Sequence, residues 1–289
     1  MQQALMALDV VPSGRALGAE VRSADFSARI SPDMASALAD ALAEHLVLRI
    51  RRQPISDPNL IAFGRAFGEL DPPGPNPYGG PILPEFPEIN VISNVIENGR
   101  PIGNLGAGEA VWHADMTYIE QPPKACILHG LEIPLGQGNT YFSNMYQAYD
   151  ELPDDLKAAI EGKVAIHDAS HNSAGMLRKG YEETTDVRQT PGVRHPLVRT
   201  HPRSGRRALF LGRRPLSYIV GMEVAESEAL LDALWAHATQ ERFTFTHEWE
   251  VGDTLIWDNL SVLHRRDSFD SDARRVLHRV QIKGDEAIG

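Results

Sequence analysis

The chain has 289 residues and a single cysteine, Cys126. One cysteine excludes an intramolecular disulfide and a cysteine-ligated metal cluster, and it suits a reducing compartment. No stretch approaches the roughly 18 continuous apolar residues of a membrane span. The opening residues, MQQALMALDVVPSG, lack the basic start and long apolar run of a secretory signal, so the expected location is cytoplasmic. Positive charge is also in short supply. The formal net charge of -11 argues against sequence-independent nucleic-acid binding, which needs clustered cations. Lysines are few beside arginines, several of which stand in pairs: 51–52, 206–207, 213–214, 265–266 and 274–275. Neither an internal repeat nor a low-complexity linker is visible.

What remains is ordinary globular composition, 42% hydrophobic and 23% charged. A β sandwich or barrel of this length can form a single unit, and one domain over 1–289 is expected. Residues 31–46 read as a helix with Ser31 as cap and Pro32 in the first turn. Residues 46–50 follow as a strand, and Asp57-Pro58 opens a second helix that closes at Gly68. Residues 71–84 hold six prolines and read as an irregular, lid-like loop, as does 169–192. Beyond residue 88, strand patterns dominate: 89–93, 111–118, 125–133, 163–168, 196–201, 207–212, 242–249, 254–258 and 274–283. Helices are expected at about 144–161 and 223–239. Many short strands separated by turns point to a mainly β sandwich or barrel with helices packed outside.

The stretch VWHADMTY (111–118) places His113 and Asp115 two apart in a strand-like run. On a strand, residues i and i+2 share a face, so both side chains can reach one point. Two such ligands are two-thirds of a facial triad for Fe(II), and His264 in WDNLSVLHRRD, after the TLIWD strand, is the candidate for the third. A bare His-x-Asp is common by chance, and the remaining histidines read as structural or solvated. The last strand, RRVLHRVQIKG (274–284), adds weight. Its period places Arg275, Leu277, Arg279 and Gln281 on one face and Val276, His278, Val280 and Ile282 on the other. Guanidiniums facing a barrel interior need anionic partners, and a small dicarboxylate gripped bidentately would supply them.

W-H-x-D-x-T-Y, a Gly-x-Thr some 25 residues on, W-D-N-x-x-x-x-H and R-R-x-x-x-R together resemble the taurine dioxygenase/2,4-dichlorophenoxyacetate dioxygenase family. RAFGELDPP (65–73), HPLVRTHPRSGRRALFLG (195–212) and EVGDTLIWDN (250–259) extend the likeness over about residues 14 to 284. The resemblance implies a double-stranded β-helix (jelly-roll, cupin-like) core and an Fe(II)- and 2-oxoglutarate-dependent oxidoreductase. Such a dioxygenase uses O₂, hydroxylates a small anionic molecule and releases succinate and CO₂, with C–heteroatom cleavage where the hydroxylated carbon bears one. It assigns His113, Asp115 and His264 to the iron, and Thr140 and Arg275 to the far carboxylate of 2-oxoglutarate. Arg279 goes to the substrate's anionic end or the near side of the cosubstrate. Asn104, Glu109 and Arg213 fall where the family places substrate contacts.

Sulfonates, aryloxyalkanoates and similar carboxylates are the implied substrates. Residues 71–78, DPPGPNPY, lack the histidine that the taurine enzyme carries there, which speaks against taurine itself. An amino acid or natural-product intermediate is the alternative within the class. A zinc hydrolase on the same ligands, or a non-catalytic jelly-roll binding protein, are alternatives outside it. The implied partner is a small molecule, with neither nucleic acid nor membrane, and relatives commonly form homo-oligomers.

Overall fold

The computed structural model describes residues 8–22, 25–73, 81–108, 110–285 and 288. Two antiparallel-rich sheets face each other. The larger runs, in spatial order, through Val10–Pro12, Ala19–Val21, Val47–Ile50, Thr254–Asp258, Ala125–Glu132, Val276–Ile282, Asn90–Ser93 and Asn104–Leu105, with Leu70–Asp71 also paired to Val276–Ile282. The smaller runs Thr244–His247, Thr140–Asn144, Val262–Arg266 and Ala110–His113. This is a double-stranded β-helix, or jelly roll.

Period-two patterning explains how the large sheet serves two cores. Cys126, Leu128, Leu255, Trp257 and Leu277 point between the sheets, where Phe142 and Val262 of the small sheet meet them. Their neighbours Ile127, Ile256, Val276, Val280 and Ile282 point the other way, under Leu38, Leu42, Leu60 and Phe63 of two helices. Burying each such side chain contributes about 1.5–3 kcal/mol.

The first helix, Pro32–His45, has the expected Ser31 cap, its side chain accepting from the Met34 amide. The second, Asp57–Arg65, is capped by Ser56 rather than Asp57. Asp57 instead binds His278 Nδ1 at 2.6 Å, tying the helix to the central strand. The expected helix over 144–161 is two short ones, Met145–Asp150 and Asp154–Ile160, interrupted at Pro153. Val224–Ala238 forms as expected. The run 111–118 pairs only as Ala110–His113, and Met116 then turns with a φ of 53°. Two strands of the small sheet, Thr140–Asn144 and Val262–Arg266, were not signalled by sequence alternation. Among the described residues, no helix is long and apolar enough to cross a membrane.

Candidate metal and anion site

His264 lies inside Val262–Arg266, directly opposite His113 on the neighbouring strand. Their rings stand 4.1 Å apart between centroids. Asp115 is past the end of its strand, so strand periodicity does not aim it. Asn259 does. Its Oδ1 accepts from the Asp115 amide at 2.8 Å, and its Nδ2 donates to the carbonyls of Asp115 (2.8 Å) and Pro123 (2.9 Å). The Ala114 amide donates to Gly212 O, and His195 Nε2 donates to Thr117 O and Ile119 O, completing the pinning of this turn.

One ligand atom from each of His113, Asp115 and His264 lies within 4.8 Å of the others, and all three residues are buried. His113 Nδ1 is 2.7 Å from Val111 O. A carbonyl only accepts, so Nδ1 carries the proton and Nε2 presents its lone pair toward Asp115, 3.6 Å away. Burial, followed by the nearby His113, depresses His264 to about 3, keeping it in the neutral form that ligates metals. Burial alone would raise the Asp115 carboxyl, but opposing interactions, the Arg279 charge foremost, more than reverse this and hold it well below its usual range. Arg279 Nη1 donates to Asp115 Oδ2 at 2.8 Å, and the Cys126 thiol donates to the same oxygen at 3.5 Å. Two imidazoles and one carboxylate on one side of a point form the donor set of non-haem Fe(II) oxygenases.

His113 and His264 open into a cavity that Thr140, Arg275 and Arg279 also line, beside Ile92, Leu105, Ala110 and Trp257. Arg275 is 1% exposed. Its Nη2 donates to Gly138 O at 3.1 Å, its Nε has no partner, and no carboxylate among the described residues pairs with it. Burial, with Arg266 second, lowers its pKa to about 9. Its sequence neighbour Arg274 is a surface residue bound to Glu132 and Glu97. Thr140 Oγ1 accepts from Trp249 Nε1 at 2.9 Å, which leaves its own hydrogen free to donate.

Neither Asn104 nor Arg213 lines the cavity. Asn104 Nδ2 donates to Asn90 Oδ1 at 2.7 Å, and its neighbour Leu105 lines the cavity instead. The Arg213 guanidinium is taken by Asp168, which also binds Ser170 and His171. Glu109 and residues 74–80 of the 71–84 loop lie outside the described residues. The sequence reading missed Asn259, whose partners are 144 residues away, and Arg266, which enters the same cavity.

A jelly roll carrying two facing histidines and a carboxylate beside a buried guanidinium that no described carboxylate pairs with defines a non-haem iron oxygenase. The chain belongs to the taurine catabolism dioxygenase TauD, TfdA family, whose model matches residues 9–281. It is 36% identical over 262 residues to an alpha-ketoglutarate-dependent 2,4-dichlorophenoxyacetate dioxygenase from Burkholderia sp. (strain RASC), covering 88% of this chain and 87% of the relative. The crystal structure of a taurine dioxygenase from Burkholderia xenovorans superposes with a TM-score of 0.77 at 31% identity, covering 98% of this chain and 93% of that one. AAD-2 in complex with Mn(II) and N-oxalylglycine superposes at 0.78 with 28% identity, covering 98% of this chain and 100% of that one. The protein is therefore an Fe(II)- and 2-oxoglutarate-dependent dioxygenase, and the hydrolase and non-catalytic alternatives fall away.

Proposed function

We propose that His113 Nε2, the Asp115 carboxylate and His264 Nε2 hold the Fe(II). In this reading Arg275 and Thr140 take the far carboxylate of 2-oxoglutarate, and the substrate is a small organic acid with an apolar body, such as an aryloxyalkanoate. Iron and 2-oxoglutarate, when bound, supply the oxidising power for hydroxylation by O₂. The chain supplies position. Thr140 donates its hydroxyl hydrogen to one carboxylate oxygen while Trp249 holds the hydroxyl in place. Arg275 offers its free Nε edge to the same group. Arg279 steadies Asp115 and puts a positive charge at the iron end of the cavity, where an acid's anionic head would lie. Ile92, Leu105 and Ala110 give an apolar wall for the rest of the molecule. Arg213, already engaged by Asp168, positions the 169–192 segment, whose Ser173 reaches the cavity as part of a lid.

The carrying observation is that the two histidines of the triad line one cavity with Arg275, which no carboxylate among the described residues pairs with. The similarity to an enzyme named for 2,4-dichlorophenoxyacetate supports the aryloxyalkanoate choice. Succinate release, screened with aryloxyalkanoates, alkyl sulfates, sulfonates and amino acids, tests it. Turnover is expected with the first class, and stimulation by taurine alone would overturn the substrate assignment. Anaerobic titration of the Fe(II) protein with 2-oxoglutarate should give a visible charge-transfer band, lost in Asp115→Ala.

A further inference from the structure

Arg266 stands two residues after His264 on the same strand, so it shares the face of that ligand about 6.5–7 Å further along. It is directly opposite Thr140 in the antiparallel pair, which puts the two side chains on one face at neighbouring positions. It lines the cavity and is 8% exposed. Its Nη1 donates to Gly106 O at 3.1 Å and its Nη2 to Gly108 O, its Nε has no partner, and no carboxylate among the described residues pairs with it. The guanidinium carbons of Arg266 and Arg275 lie 5.2 and 5.5 Å from the centroid of the same Phe269 ring. Two buried guanidiniums thus converge beside one threonine hydroxyl with no anion of the described residues between them. Carbonyl dipoles satisfy hydrogen bonds but leave such charges uncompensated.

We infer that Arg266 is a second guanidinium for the far carboxylate of 2-oxoglutarate, binding it from the Thr140 side while Arg275 binds it from the Gly138 side. A carboxylate offers about four lone-pair sites, enough for two guanidiniums and a hydroxyl. The spacing along the strand suits a short diacid whose 2-oxo end is at the triad. The carbonyl contacts give the residue a second effect. Leu105, with a φ of 75°, and Gly106 form the cavity edge that Arg266 holds, so the cosubstrate is linked to the wall against which substrate packs.

This inference rests on the reading that Arg275 receives that carboxylate, and the test separates the two. Calorimetry on Mn(II)-loaded protein would compare 2-oxoglutarate with pyruvate, which has the 2-oxo acid end but no far carboxylate. Arg266→Gln keeps a donor for the carbonyls and removes the charge. It should weaken 2-oxoglutarate at least 10-fold and leave pyruvate within about 2-fold, with Arg266→Lys recovering part of the loss. Unaltered pyruvate binding also shows that the variant is folded around its metal. Equal weakening of both ligands would reduce Arg266 to a loop anchor and overturn the inference. So would unchanged 2-oxoglutarate binding in Arg266→Gln while Arg275→Gln loses it. Wild-type protein that binds both ligands equally well would overturn the Arg275 reading, and this one with it.

Discussion

Asn259 is fully buried and its side chain makes three hydrogen bonds, two of them to the backbone of Asp115. Asn259→Ala leaves an amide and two carbonyls unpaired in the interior. The expected cost is roughly 2–4 kcal/mol in urea unfolding, with metal affinity reduced about 10–100-fold because the carboxylate is no longer aimed. Metal titration with Mn(II) checks the second figure. Arg275→Ala should raise the 2-oxoglutarate requirement about 10–100-fold, since a charge-assisted pair is worth roughly 1.5–3 kcal/mol. Unchanged dependence would mean that another cation takes the carboxylate. His113 and Arg275 were legible in the sequence because they stood out against strand periodicity, Asp115 by its place two residues after His113, and His264 as the histidine that follows the TLIWD strand. Asn259 was not, because nothing local distinguishes a buried asparagine bonded across 144 residues from one in a turn.

The elements show the same division. Helix 31–46 announced itself by its Ser31 cap, Pro32 and apolar spacing, whereas Val224–Ala238 has neither a side-chain cap nor a proline. The Thr140–Asn144 and Val262–Arg266 strands did not announce themselves, because Thr140, His264 and Arg266 occupy inward positions where a strand ordinarily carries aliphatic residues. The polar positions that line the cavity erased the pattern that would have revealed the strand. The turn leading into Thr140 carries its own constraint. Gly138 has a φ of 63°, and a Cβ there would stand 2.8 Å from Arg275 Nε and 3.2 Å from the Phe269 ring. Gly138→Ala should therefore displace the guanidinium as well as strain the backbone. The expected result is weaker 2-oxoglutarate binding by at least 10-fold with metal affinity retained; wild-type cosubstrate binding would show that the turn yields freely.

At the scale of the molecule, stability should depend on acid. Burial depresses His167 to about 3, with the adjacent His195 contributing second, and burial also lowers His129, His195 and His247. Each stays neutral in the fold but gains a proton on unfolding once the pH drops below about 6.5. The favourable difference is intact above that value and is lost as pH falls toward the folded value. For His167 alone the loss between pH 7 and pH 5 is about 2 kcal/mol. Urea midpoints of metal-free protein at the two pH values should differ less in His167→Phe than in the wild type; an equal drop would place the acid sensitivity elsewhere.

The two layers of the jelly roll meet at the triad. His113 and His264 hang from the four-stranded sheet, whereas Asp115 is fastened to the other sheet through Asn259 and Arg279. An ion gripped by all three is a rivet through both plates. A chelator should accordingly behave as a mild denaturant, lowering the calorimetric melting temperature, while excess Mn(II) raises it by mass action. How firmly the sandwich is clamped would then vary with how much metal its surroundings provide.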